Sequence, residues 1–276
     1  MKFGAKDVSK IREGEWWRVL TAMWLHGGVV HLGMNSMALF GLGKDIEEEY
    51  GTKKFVAIYV PSGIFGATLS AIFLPWQVGV GASGALFGLF GSCWSDLMQN
   101  PHDIAEGEMP KEILRITLMT ILNLGMGLTP FLDNFAHGGG FVLGFLTGLV
   151  VLPKPKLGQA GLTMQQRGMQ VLAGVFAVVF VLAAFVVLYT GVDALEKCSW
   201  CSSISCVDTP WWKCADIERQ SAMPECTRFS KTREDAEEDV LLCGSDQSCL
   251  ECRHDIPKDM PQAELITTCE VLCAGT

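Results

Sequence analysis

Apolar residues in this chain run in long blocks rather than alternating with polar ones. Each block is close to the roughly 20 residues that cross a lipid hydrocarbon core as a helix. Six blocks are predicted as membrane-spanning helices, at about 20–42, 55–74, 80–98, 112–129, 133–152 and 169–190. The last, from Met169 to Tyr189, is the most uniform, being built of Val, Phe, Ala and Leu. The first four are interrupted by Gly, Asn, His or Ser, which lowers their hydropathy without removing their length. The fold class predicted from this pattern is all-α: a polytopic transmembrane helical bundle followed by a cysteine-rich extramembrane segment.

Charge adds an orientation. The loops after the first, third and fifth blocks hold Lys44, Lys53, Lys54, Lys111, Lys154, Lys156 and Arg167, while those after the second and fourth hold no Lys or Arg. Basic loops stay in the cytosol, so residues 1–19 and the tail are expected on the outer side. Residues 1–19 fit this badly, because Lys2, Lys6, Lys10, Arg12 and Arg18 would then lie outside. The tail fits well. Residues 193–276 carry ten of the eleven cysteines and all of the net charge of −9. Such cysteine density points to disulfides in an oxidising compartment. With an acidic balance and no basic patch, nucleic acid is excluded as a partner. Residues 1–18 also lack the apolar core of a secretory signal.

The chemistry sits inside the apolar blocks. Ser83 lies in Gly81-Ala82-Ser83-Gly84-Ala85-Leu86-Phe87-Gly88, and His137 lies in Phe135-Ala136-His137-Gly138-Gly139-Gly140. Polar and ionisable residues are costly in lipid, and an intramembrane histidine marks a functional site by default. His137, Gly140, Gly144 and Gly148 share one helical face, and Gly84 with Gly88 makes a matching small pair. Small residues let membrane helices approach closely, which brings the Ser83 hydroxyl within reach of the His137 ring as a nucleophile and its base. Both follow outer loops, so both are expected in the outer part of the membrane. The first block adds His26, His31 and Asn35, the last two four apart on one face. Donors placed there would stabilise a tetrahedral oxyanion, each worth roughly 3–4 kcal/mol. Taken singly, the serine reads as packing between helices, the histidine as an interhelical hydrogen bond and the glycines as close packing; their conjunction reads as a site.

These residues resemble those of the rhomboid intramembrane serine proteases. The resemblance runs from about Gly14 to Leu152 and rests on Trp17-Arg18, His26 with His31 and Asn35, Glu47 with Gly51, Gly81-Ala82-Ser83-Gly84, and Ala136-His137 with Gly140 and Gly144. It implies that Ser83 is the nucleophile and His137 the general base of a dyad. It implies an oxyanion hole made by His31, Asn35 and the Ser83 backbone amide. Phe87 would pack against the histidine, and Trp17 and Arg18 would belong to an outer loop lying partly in the membrane. Glu47 would brace its loop. The implied activity is hydrolysis of single-pass transmembrane protein substrates within the lipid bilayer, with no cofactor and no metal. Cys198-Ser199-Trp200-Cys201, Ser205-Cys206 and Trp212-Lys213-Cys214 are similar to the tails of plant-type rhomboid-like proteins, which add a seventh span.

The family core begins with a span ahead of the Trp-Arg loop, and about sixteen residues precede that loop here. The first core span is therefore expected to be missing. The resulting division is an outer loop remnant at 1–19, a core of five of six spans at 20–152, a cytosolic linker and extra span at 153–192, and the tail at 193–276. An integral membrane protein of the secretory pathway, at the Golgi or plasma membrane, is the expected setting.

Ten tail cysteines allow five disulfides, although Cys198-x-x-Cys201 and Cys249-x-x-Cys252 also match a zinc spacing. Disulfides are favoured, in a small stapled domain that recognises substrates or stabilises the protein. Lys231 to Asp239 is expected to be a solvated segment, His102 and His254 surface residues, and Cys93 a small apolar residue within its helix. Two other functions compete with the protease: an inactive rhomboid-like adaptor that binds membrane clients, and a transporter with histidines as a proton relay. The adaptor is disfavoured because both Ser83 and His137 are present. The transporter is disfavoured because the polar groups cluster at one end.

Overall fold

The computed structural model describes residues 4–75, 77–105, 107–126, 132–155 and 158–190, with Ala194, Cys198, Cys201 and Ile204, and the strand residues 227–233, 236–242 and 252–253. It divides into two units, Met1–Cys214 and Ala215–Thr276.

The first unit is the all-α bundle. Its helices are α1 (Val8–Arg12), α2 (Arg18–Thr21), α3 (Val29–Ala38), α4 (Lys44–Tyr50), α5 (Thr52–Phe73), α6 (Ser83–Gln99), α7 (Met109–Met126), α8 (Asn134–Val151) and α9 (Met164–Thr190). A π-helical turn, Leu39–Gly43, joins α3 to α4. By length and composition α5, α8 and α9 are able to cross a membrane. Along α9, large apolar side chains such as Val171, Leu172, Leu182 and Val186 are exposed. Apolar residues facing outward all along a helix are what lipid, rather than water, accommodates.

The first expected span is corrected. A helix does not begin near residue 20 and end near 42. Residues 18–24 form short turns at one end of the bundle, and the long helical stretch starts at Val29 and runs on to Tyr50. The break falls at Gly28, whose φ of 141° suits glycine and few other residues. At the far end, Lys44 and Glu48 lie one turn apart with nitrogen and oxygen 3.4 Å apart, so the charges read as a loop are helix surface. Lys53 and Lys54 likewise belong to α5 and Lys111 to α7. The fourth predicted span, about 112–129, overlaps α7, but its last three residues lie outside the described residues.

Helices α5, α6 and α8 form the centre. Gly84 lies against Gly140, Gly88 against Gly144 and Ser92 against Gly148, so α6 and α8 run parallel. Ser62 meets Gly88 and Gly66 meets Gly84, so α5 runs antiparallel to both. A methyl group on Gly140 would strike the Gly84 carbonyl, and one on Gly144 the Gly88 carbonyl. This is backbone-to-backbone packing of the small-residue type.

The two ends of the bundle differ. At one end Val8, Ile11 and Val19 pack with Ile72 and Leu188, near the ends of α5 and α9. At the other end Tyr50 hydrogen-bonds the Asp96 carboxylate. There Asn100 donates to Asp96 (2.6 Å) and to the Leu152 carbonyl (3.1 Å), and Lys154 binds Glu49 (2.5 Å) and Asp103 (2.7 Å). Glu47 accepts from the Thr52 hydroxyl at 2.7 Å, across the turn into α5.

The second unit contains an antiparallel sheet of β1 (Thr227–Arg233), β2 (Ala236–Leu242) and β3 (Cys252–Arg253), in that order. Most of the segment expected to be a plain solvated stretch is therefore on two hairpin arms. Lys231 pairs with Glu238 in the register of β1 and β2.

Candidate active site

Ser83 is the first residue of α6, and His137 sits in the first turn of α8. Because α6 and α8 are parallel and start at the same end, these two first turns are neighbours. The Ser83 Oγ and His137 Nε2 atoms are 2.9 Å apart. Phe87, one turn below Ser83, stacks on the imidazole with ring centroids 4.1 Å apart and planes 10° from parallel. His137 is only 3% exposed, whereas Ser83 is half-buried. The serine therefore meets an approaching group while the ring behind it is held.

Asp133 fixes the start of α8. Its Oδ1 accepts from the Ala136 amide at 2.9 Å, an N-cap, and its Oδ2 accepts from the Ser70 hydroxyl. The His137 Nδ1 is buried with no hydrogen-bond partner among the described residues. Among the described residues, no carboxylate hydrogen-bonds the His137 ring.

Gly81 brings α3 to the pair. Its φ is 135°, and a methyl group on it would lie 2.8 and 2.9 Å from the His31 ring and 3.8 Å from Asn35 Nδ2. His31 and Asn35 therefore stand beside the backbone two residues before Ser83. His31 Nδ1 accepts from the Gly27 amide at 3.4 Å, which leaves the proton on Nε2. Asn35 is buried, and its Nδ2 donor has no hydrogen-bond partner among the described residues. Unpaired buried donors are rare and call for an explanation. His26 lies edge-on to His31, with ring centroids 5.2 Å apart, and its buried Nε2 is also unpartnered.

A cavity of about 610 Å³ opens here, lined by His31, Gly81, Ser83, Asp133 and His137, and by Lys6. Five of the residues singled out in the sequence, Ser83, His137, Phe87, His31 and Asn35, converge here. Gly140 and Gly144 lie deeper, at the contact of α8 with α6. Trp17 and Arg18 stand apart from the pair. Trp17 is exposed beside Trp16. Arg18 is buried, donating to Glu15 (2.6 Å) and to the Ala5 carbonyl (3.0 Å).

Lys6 was missed as a site residue. It is 1% exposed and donates to Ser70 Oγ at 2.6 Å and to the Leu74 carbonyl at 3.1 Å. Burial pushes its ammonium down to about 8, with Asp133 and then Asp7 opposing. The signal was present in the charge anomaly of residues 1–19. Arg12 donates to the Leu188 carbonyl at 3.1 Å, so Lys6, Arg12 and Arg18 are partnered within the fold rather than free loop charges.

The start of the tail reaches the same end. Cys198 and Cys201 form a disulfide, which fills the first of the two C-x-x-C pairs. Cys201 packs on Leu74 and Phe135, and Asn134 donates to the Ile204 carbonyl at 2.8 Å. The remaining expected disulfides, the zinc alternative at Cys249 and His254 lie outside the described residues or side chains. Cys93 is a free, half-buried thiol, and His102 Nε2 lies 3.4 Å from the Asp103 carboxylate.

A rhomboid domain model matches residues 13–154. The chain is 40% identical over 223 residues to RHOMBOID-like protein 4 of Arabidopsis thaliana, covering 76% of this chain and 56% of that protein. It is 39% identical over 165 residues to Rhomboid protease GluP of Bacillus subtilis (strain 168), covering 58% of this chain and 30% of that one. It is 32% identical over 227 residues to a protein named Inactive RHOMBOID-like protein 8 of Arabidopsis thaliana, covering 74% and 63%. The chain spans a little over half the length of the first of these. On the rhomboid domain and these relatives, the chain is an integral membrane protein that belongs to the rhomboid family.

Proposed function

We propose that this chain is an intramembrane serine endopeptidase that cleaves single-pass transmembrane substrates with Ser83 and His137. The observation that carries the reading is the 2.9 Å approach of Ser83 Oγ to His137 Nε2 in a cavity at one end of the bundle. A substrate segment unwinds near that end, because an intact helix hides its carbonyls in internal hydrogen bonds. Ser83 Oγ attacks the carbonyl carbon as His137 Nε2 takes its proton, and the ring returns that proton to the leaving amine. Water then opens the acyl-enzyme by the same route. Asn35 Nδ2, His31 Nε2 and the Ser83 amide stabilise the oxyanion, and Phe87 keeps the ring in plane. The disulfide at Cys198 and Cys201, near the same end as Ser83, supports an outward-facing site in the secretory pathway, at the Golgi or plasma membrane.

The test is labelling of the membrane-expressed chain with a fluorophosphonate probe, which needs no known substrate. Labelling is expected in the wild type and lost in Ser83→Ala. Absence of labelling in a folded wild type would favour an inactive, client-binding rhomboid-like protein.

A further inference from the structure

Lys6 binds the loop that leads to Ser83 and, through Ser70, the residue that caps the helix carrying His137. Through its backbone it forms an isolated bridge with Gly79: its amide donates to the Gly79 carbonyl at 2.9 Å, and the Gly79 amide donates back at 3.1 Å. Gly79 is four residues before Ser83, in the loop that opens α6. Gly79 has no side chain, so the aliphatic stem of Lys6 occupies that space. Through its ammonium, Lys6 binds Ser70 Oγ and the Leu74 carbonyl at the end of α5. The Ser70 hydroxyl in turn donates to Asp133, the cap of the helix whose first turn carries His137.

Lys6 is itself held. The Ala5 carbonyl accepts from Arg18 at 3.0 Å, and the Gly4 carbonyl accepts from Thr21 at 2.6 Å. A buried ammonium is expensive unless it is paired. Two carbonyls and a hydroxyl backed by a carboxylate are the pairing it has. A methionine would fill similar volume without that cost, so stability alone does not explain a lysine here. The lysine supplies hydrogen bonds directed to a second element, and an apolar residue does not.

Resting on the serine–histidine reading above, we propose that Lys6 is a positioning residue that sets the Ser83–His137 distance. One arm is its backbone bridge to the Gly79–Ser83 loop. The other is the Lys6–Ser70–Asp133 hydrogen-bond chain to the start of α8.

The test uses the full chain in lipid nanodiscs, with two readouts: amide hydrogen exchange of segments 77–84 and 133–140, and the rate of fluorophosphonate labelling. Lys6→Met removes the ammonium arm and keeps the backbone bridge, so exchange is expected to rise in 133–140 and labelling to slow by at least about tenfold, as misplaced reacting groups do. Ser70→Ala cuts the same arm at its middle. It is expected to raise exchange in 133–140, leave 77–84 within about twofold of wild type, and slow labelling. If Lys6→Met does not fold, Ser70→Ala decides. Unchanged exchange in 133–140 in Ser70→Ala, or variants that label at the wild-type rate, would overturn the proposal while leaving the protease reading in place. A wild type that exchanges as expected but does not label would remove the protease reading and leave the coupling standing.

Discussion

Asn35 is a buried side chain whose amide donor has no acceptor among the described residues, and it stands beside the backbone just before Ser83. Such a donor costs stability at rest, and in the proposed mechanism it gains a partner when the oxyanion forms. Asn35→Ala should therefore leave the fold intact and lower kcat for a cleaved substrate by about 10²–10³, with KM nearly unchanged. A fall in kcat of less than about threefold would show that this donor does not serve the transition state. His26 differs in kind. Its unpartnered Nε2 lies behind His31, edge-on to that ring, so its effect would pass through the orientation of His31.

At the scale of elements, the contact of α6 with α8 decides whether Ser83 and His137 meet at all. It is a backbone contact, and each added methyl group has a defined cost. Gly144→Ala drives a Cβ into the Gly88 carbonyl, while the same change at Gly138 meets nothing within 4 Å. Gly144→Ala should destabilise the protein by about 1–3 kcal/mol, and Gly138→Ala should be neutral or slightly stabilising. Denaturation of both variants in micelles checks the contrast, and equal losses would refute the packing account. The glycine stripe was legible in the sequence because spacings of three and four survive in any straight helix. So were Ser83, His137, His31 and Asn35, since each is a polar residue in an apolar block. The start of the first span was not legible, because hydropathy cannot tell the apolar turns of residues 18–24 from a helix that begins beyond Gly28. Nor was the helical character of Lys44–Tyr50, because a charged helix end and a charged loop have the same composition. Lys6 was visible only as a misfit in the charge pattern, since its partners, Ser70, Leu74 and Asp133, are more than sixty residues away in sequence.

For the whole bundle, Lys6 makes stability depend on pH in a direction opposite to the usual gain from a paired charge. Its ammonium titrates near 8 when folded, because burial disfavours the charge more than Asp133 and Asp7 restore it, against 10.5 for an ordinary lysine. Below pH 8 both states hold the proton, and the folded state carries the full cost of the buried charge. Between about 8 and 10.5 the folded state has released the proton while the unfolded chain still binds it, so unfolding takes up a proton and stability rises with pH. Above that window the gain is complete, at about 3 kcal/mol. Other groups titrate over the same range, so the quantity to measure is a difference. The stability of wild type minus that of Lys6→Met, followed by denaturation from pH 7 to pH 10.5, should climb through the window and then level. Parallel curves would mean that the ammonium is solvated in the folded protein. The segment that carries it would then be loosely attached, and the coupling of the Ser83 loop to the His137 helix would lose its anchor.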